Sequence, residues 1–150
     1  AVLQAGADPG IGALVTWSAT ARFGRLWRKD QVPDWRRTGT LEIVNQRTGE
    51  RLPLATDILD DLERNADRLD VLGAAAAIRA PWLVVHGAID ESVPASDARD
   101  LSARAPQARL LLIENAGHTF GITHPWIGST PQFDQVLEAS VDWFSRHLVP

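Results

Sequence analysis

The stretch WLVVHGAIDESVP, residues 82–94, decides the fold. Its first part, residues 82–86, is a short apolar run before a glycine, which is typical of a strand buried in a parallel sheet. A second such run, LLLI at residues 110–113, follows a segment, residues 95–105, that can form a helix. This alternation predicts an α/β fold with a parallel sheet and crossover helices.

The segments on either side of these strands predict a third strand and a C-terminal helix. Residues 1–7 resemble the last turns of a helix, and residues 11–19 predict a strand buried on both faces. Thr130 before Pro131 marks the start of the last helix. The predicted apolar stripe of that helix consists of Phe133, Leu137, Val141, Phe144 and Leu148.

Residues 20–56 interrupt the alternation and are predicted to be an insertion. Residues 41–45 and 51–54 flank the segment QRTGE, which predicts a β-hairpin with Gly49 at a positive φ. Arginines mixed with Trp and Phe precede the hairpin. We expect the aromatic rings to pack against the body of the protein. The alternative is that this basic segment contacts an acidic substrate or nucleic acid. Residues 57–72 predict one amphipathic helix capped by Thr56.

Two side chains that can carry chemistry follow neighbouring strands. Asp90 comes after residues 82–86, and His118 comes after residues 110–113. Ligands bind beyond the carboxyl ends of parallel strands, so both loops belong to one edge of the sheet. A carboxylate there can accept the Nδ1 proton of an imidazole and stabilise the imidazolium, while the imidazole acts as a base.

The two loops resemble those of a known family. The segments HGAIDESVP (residues 86–94) and ENAGHTFG (residues 114–121) are similar to the acid and histidine loops of α/β-hydrolases, above all the dienelactone-hydrolase and prolyl-oligopeptidase-like branch. The resemblance implies that residues 1–150 are the C-terminal half of such a domain, with a lid inserted at 20–56 and both loops within 78–150. It also implies a serine hydrolase of carboxylic esters or peptides.

The nucleophile that such an enzyme needs is not in the sequence. The family's G-x-S-x-G elbow does not occur, and residues 1–7 match the helix that follows the elbow. The resemblance therefore implies that the serine and the oxyanion hole lie upstream of residue 1, and that this chain alone is inactive. The alternative is a structural or complementing fragment, which associates through an exposed sheet edge with the missing half or with a second copy.

Other side chains near the two loops are candidates for secondary roles. Phe120, Trp126 and His124 are expected to bind substrate, although loop packing is an equal alternative for the two aromatic residues. His124 is also an alternative base, and Glu91 is an alternative acid that we expect to be solvent-exposed. His86 ends a buried strand and is expected to be structural.

The composition excludes several classes. A net charge of −4 argues against nucleic-acid binding, and no run approaches the roughly 18 apolar residues of a membrane span. The sequence has no cysteine, so thiolate sites are excluded. The family resemblance implies no metal or organic cofactor. We expect a soluble protein, with the cytoplasm slightly favoured and export left open.

Overall fold

The described residues of the computed structural model, 1–45 and 48–148, form six α-helices and five β-strands. The helices are α1 (Val2–Ala7), α2 (Val32–Thr38), α3 (Asp57–Arg64), α4 (Val71–Ala77), α5 (Ala95–Arg104) and α6 (Pro131–His147). The strands are β1 (Leu14–Trp17), β2 (Thr40–Val44), β3 (Arg51–Ala55), β4 (Trp82–Gly87) and β5 (Ala108–Ile113). The chain divides into two units, one formed by Ala1–Arg22 with the chain from Asp70 onward, the other by Phe23–Leu69.

The larger unit is built on a parallel sheet with the strand order β1-β4-β5. Leu14 of β1 pairs with Trp82 of β4, and Trp82 pairs in turn with Ala108 of β5. Helix α4 precedes β4, and α5 connects β4 to β5. The predicted α/β class, with three parallel strands and helical crossovers, is confirmed.

Burial differs between the three strands. Every residue of β4 is buried, as its apolar run predicts, because it has a strand on each side. Strands β1 and β5 lie at the edges of the described sheet and are only partly buried. The expectation of full burial is therefore wrong for these two strands, and Trp17 at the end of β1 is 41% exposed.

The hydrophobic core lies between the sheet and α6, and the face of α6 that it contacts differs from the predicted one. Its buried members are Leu83, Val85, Ile113, Ala116, Phe120 and Val136. Val136 and Ser140 are the buried residues of α6, and Ser140 Oγ accepts a hydrogen bond from Trp17 Nε1 at 3.0 Å. Phe133 of the predicted stripe packs against the core, but the remaining members are 37% to 58% exposed: Leu137, Val141, Phe144 and Leu148. The helix has apolar residues on two faces, and the sheet contacts the face with Val136 and not these remaining members of the predicted stripe.

The smaller unit contains the predicted hairpin. Strands β2 and β3 pair antiparallel, and Gly49 has a φ of 71° as expected. Gln46 and Arg47, which belong to the predicted turn, lie outside the described residues. The hairpin is confirmed, while its role as a lid stays a prediction.

Trp35 and Arg36, from the aromatic and basic part of the smaller unit, have hydrogen-bond partners within that unit. Trp35 is buried, and its Nε1 donates to the carbonyl oxygen of Leu54 at 2.8 Å. Arg36 donates to the carboxylates of Asp60 and Glu63 at 2.7 and 2.6 Å. These contacts hold α2 against the hairpin and against α3.

The helix predicted over residues 57–72 is interrupted. Helix α3 ends before Asn65, whose side chain donates to the preceding turn of the helix. The Asp70 carboxylate accepts the backbone N–H of Gly73 at 3.0 Å and so caps a new helix, α4. Thr56 makes no side-chain capping hydrogen bond, so the prediction of a Thr56 cap is wrong.

Candidate active site

The acid loop is fixed by the carboxylate that it carries. Asp90 follows the end of β4, and its Oδ1 accepts the backbone N–H groups of Ser92 and Val93, both at 2.9 Å. Short side chains such as Asp commonly organise turns in this way. The residue is 7% exposed, so the second carboxylate oxygen has few alternatives to a protein partner.

The histidine loop touches the end of β4 at a glycine. A Cβ on Gly87 would lie 2.3 Å from the carbonyl oxygen of Ala116 and 2.6 Å from that of Gly117. Ile89 of the acid loop also donates its N–H to the Ala116 carbonyl at 3.1 Å. The sequence HG at the end of β4 therefore allows the two loops to pack backbone to backbone, directly before His118.

This packing brings the two predicted residues together. Nδ1 of His118 lies 2.9 Å from Oδ2 of Asp90. A carboxylate accepts, so Nδ1 carries the proton, and Nε2 of the neutral ring has a free lone pair. The Asp90 side chain is fully buried whereas that of His118 is 43% exposed, so the imidazole is reachable from outside while its partner is shielded.

The surroundings favour the ionised form of Asp90. Burial alone would raise the pKa of this carboxyl, because a charged group loses hydration. The N–H of Val93, the hydrogen bond and charge of His118 and the N–H of Ser92 outweigh burial and hold the pKa of Asp90 below its ordinary value. An anion at this position can stabilise a positive charge on the imidazole ring.

Ser18 is a contact that the sequence analysis missed. It directly follows β1 with a φ of 47°, a left-handed conformation that is uncommon for a serine. Its Oγ donates to the backbone carbonyl of His118 at 3.2 Å. The hydroxyl therefore braces the histidine loop and is bonded to its backbone rather than to the imidazole. No sequence motif marks this contact.

The predicted substrate-binding residues have different surroundings. Phe120 is 3% exposed and belongs to the core, which matches the loop-packing alternative. Trp126 is 59% exposed, with its ring edge-on to Phe133 at 6.1 Å between centroids. His124 is exposed in the same loop, and Glu91 is exposed as expected. The binding roles of Phe120, Trp126 and His124 stay predictions.

The residues that the structure describes suggest no metal centre. Within residues 1–45 and 48–148, no three His, Asp or Glu side chains gather closely enough to hold a metal ion. In the same ranges, no helix has the length and apolar character that crossing a membrane requires.

Solved structures with a similar backbone identify the fold. The chain superposes on the esterase domain of a Rhodothermus marinus protein with a TM-score of 0.67 and 17% identity, over 99% of this chain and 57% of that one. For a monoacylglycerol lipase of Paleococcus ferrophilus the TM-score is 0.65 at 17% identity, over 97% and 63%. An α/β-hydrolase enzyme from a lagoon-sediment metagenome gives 0.56 at 22% identity, over 99% and 57%. The chain has the α/β-hydrolase fold, as the two loops predicted.

The curated relatives with a similar sequence are esterases by name. A pimeloyl-[acyl-carrier protein] methyl ester esterase of Xanthomonas campestris pv. campestris is 36% identical over 87 residues, which are 58% of this chain and 31% of that protein. The corresponding esterase of Aeromonas hydrophila is 31% identical over 70 residues, 47% of this chain and 26% of that protein. The matched residues span less than a third of each relative's length. No protein-family model matches it.

Proposed function

We propose that this chain supplies the acid, Asp90, and the base, His118, of a serine hydrolase that cleaves carboxylic esters. The observation that carries the proposal is the 2.9 Å contact between His118 Nδ1 and Asp90 Oδ2, made by a buried carboxylate and an exposed ring. The names of the curated relatives favour esters, because all of those relatives are methyl ester esterases. Peptide bonds, which the same three groups can cleave, are the alternative substrate.

The proposed reaction assigns each proton. A serine in a G-x-S-x-G elbow upstream of residue 1 attacks the ester carbonyl, and Nε2 of His118 takes the serine proton. Asp90 keeps the proton on Nδ1 and stabilises the resulting imidazolium. His118 then gives its Nε2 proton to the departing alcohol, and an acyl-serine forms. Water, deprotonated by His118 in the same way, releases the acid and restores the serine.

Ester hydrolysis tests the proposal with two lengths of chain. The 150-residue chain and a form extended upstream through the elbow are assayed with p-nitrophenyl esters of short acids. We expect turnover from the extended form only. Turnover by the 150-residue chain would contradict an upstream nucleophile, and an inactive but folded extended form would contradict the hydrolase assignment.

A second function, as a complementing fragment, is favoured by the outer face of α6. Leu137, Val141 and Phe144 are exposed there, and Trp17 is exposed at the edge of the sheet. Large apolar side chains exposed along one face of a helix indicate a contact with another polypeptide. We propose the segment upstream of residue 1 as that partner, and a second copy as the alternative. Sedimentation of the chain with and without a separately produced upstream segment distinguishes the two.

A further inference from the structure

His86 is a fully buried histidine with one unsatisfied ring nitrogen. It is the second-to-last residue of β4 and has no exposed surface. Its Nδ1 has no hydrogen-bond partner among the described residues, a rare state for a buried polar atom. The reaction proposed above does not use this side chain, so its position next to the acid loop needs another explanation.

The contacts of the other ring nitrogen determine the tautomer. Nε2 of His86 lies 2.9 Å from the carbonyl oxygen of Val93 and 3.4 Å from Oδ2 of Asp90. Both of these oxygens accept hydrogen bonds, so Nε2 must carry the proton. A neutral ring with its proton on Nε2 has a bare Nδ1, which agrees with the missing partner of that atom.

This hydrogen bond closes the acid loop. The N–H of Val93 donates to Oδ1 of Asp90, and the carbonyl of Val93 accepts from His86. Val93 is thus held at both of its polar backbone groups, once by the carboxylate and once by the ring. With Oδ1 held by the loop backbone, the Asp90 carboxylate directs Oδ2 towards His118.

We propose that His86 is a positioning residue, which holds the loop through Val93 so that the Asp90 carboxylate faces His118. This inference rests on the proposed roles of Asp90 and His118. His86 itself lies in the buried centre of the sheet and acts only through its neighbours. A histidine that merely fills the core would leave the Asp90–His118 hydrogen bond unchanged when replaced.

The first test needs no substitution. In the 150-residue chain labelled with ¹³C and ¹⁵N, the nitrogen shifts of His86 should report a protonated Nε2 and a bare Nδ1. A scalar coupling across the hydrogen bond should join Nε2 to the carbonyl carbon of Val93. A proton on Nδ1 in place of Nε2 would overturn the proposal, because Nε2 could not then donate to Val93.

The second test compares three variants of the same chain. His86→Gln keeps a side-chain N–H donor, His86→Leu removes it, and Val84→Ala alters a buried residue of the same strand as the control. The readouts are the far-downfield proton signal of His118 Nδ1–H and the pKa of Asp90 from ¹³C titration. Without the His86 donor, the carbonyl of Val93 is no longer held, and we expect the Val93 N–H to move away from Asp90. His86→Leu should therefore lose the His118 signal. It should also raise the pKa of Asp90, because the Val93 N–H no longer offsets the effect of burial. His86→Gln and Val84→Ala should retain both properties.

The outcomes separate this inference from the function on which it rests. An unchanged signal and an unchanged Asp90 titration in a folded His86→Leu chain would overturn the positioning role, with the Asp90–His118 pair intact. Equal losses in His86→Leu and Val84→Ala would also overturn it, since they would reflect general destabilisation. If the unsubstituted chain shows neither the downfield signal nor a lowered pKa of Asp90, the pair itself is absent, and both proposals fail together.

Discussion

Nδ1 of His118 and Oδ2 of Asp90 are 2.9 Å apart, although 28 residues separate them in the sequence. Each residue lies just beyond the carboxyl end of a strand, and the two strands, β4 and β5, are direct neighbours. The contact therefore follows from the parallel sheet, which brings successive loops to one edge. Because the Asp90 carboxylate accepts three hydrogen bonds, we expect it to contribute to the stability of the fold.

The first prediction concerns acid stability and Asp90. Its pKa is lowered in the folded chain, so the ionised carboxylate stabilises the fold above the ordinary Asp pKa. That contribution is lost as the pH falls through the lowered value. Asp90→Asn should remove this part of the pH dependence and cost about 2 kcal/mol at neutral pH, the size of hydrogen bonds to a charged group. Urea unfolding at a series of pH values measures both effects.

The control for Asp90 is an exposed carboxylate. Asp67→Asn alters such a residue and should leave the acid limb of the stability curve close to that of the unsubstituted chain. If the unfolding free energy of Asp90→Asn falls with decreasing pH as steeply as that of the unsubstituted chain, the lowered pKa of Asp90 is contradicted.

The second prediction concerns the close contact of the two loops. Gly87→Ala should destabilise the chain by about 1–3 kcal/mol, because its Cβ would meet the backbone carbonyls of Ala116 and Gly117. The same substitution at Gly117 meets no atom within 4 Å and should cost much less. Urea unfolding of both variants gives the comparison. Equal stabilities would show that the loops do not touch at Gly87.

The third prediction compares two threonines that precede helices. Thr130 Oγ1 accepts the N–H of Phe133 at 3.1 Å and donates to the carbonyl of Phe120 at 2.6 Å. Thr130→Ala should cost about 1 kcal/mol or more in unfolding free energy, the usual loss of a helix cap. Thr56 has no capping hydrogen bond, so Thr56→Ala should change stability by less than about 0.5 kcal/mol. A larger cost at Thr56 than at Thr130 would reverse the assignment.

The sequence predicts best where local patterns and the sheet agree. Local patterns predict the apolar run of β4 and the helix after Pro94. A parallel sheet places the loops that follow its strands at one edge, so the positions of Asp90 and His118 after two such strands predict the site. Phe120 shows the limit of this reasoning, since a loop aromatic next to His118 can face either substrate or core. Only the packing of the sheet against α6 decides that it belongs to the core.

Other features depend on contacts that periodicity does not contain. The repeat of leucines over residues 57–72 continues through the end of α3, and it gives no sign that the Asp70 carboxylate begins a new helix. The positive φ of Ser18 has no signature of its own, because serine rarely adopts it. The contacts of His86 with the acid loop likewise require the three-dimensional position of Val93.

The fourth prediction tests which face of α6 meets the core. Val136 is fully buried, whereas Val141, on the same helix, is 58% exposed. Val136→Ala should destabilise the chain by about 2 kcal/mol through lost packing and a residual cavity. Val141→Ala should cost less than about 0.5 kcal/mol in the isolated chain. A larger loss of stability in Val141→Ala than in Val136→Ala would instead support the helix face expected from the sequence.

The exposed face has a further consequence in a longer chain. If the segment upstream of residue 1 covers it, Val141→Ala should destabilise the extended form more than it destabilises the 150-residue chain. Equal effects in both forms would argue against the proposed contact on this face.

The most direct measurement of the proposed chemistry is ester turnover by histidine variants of the extended form. His118→Ala should lower kcat by at least about 10³-fold, as expected when the base of a triad is removed. His124→Ala, at an exposed histidine of the same loop, should retain most of the activity. Circular dichroism checks that both variants are folded. Full activity in folded His118→Ala, or a collapse of kcat in His124→Ala alone, would contradict the assignment of His118 as the base.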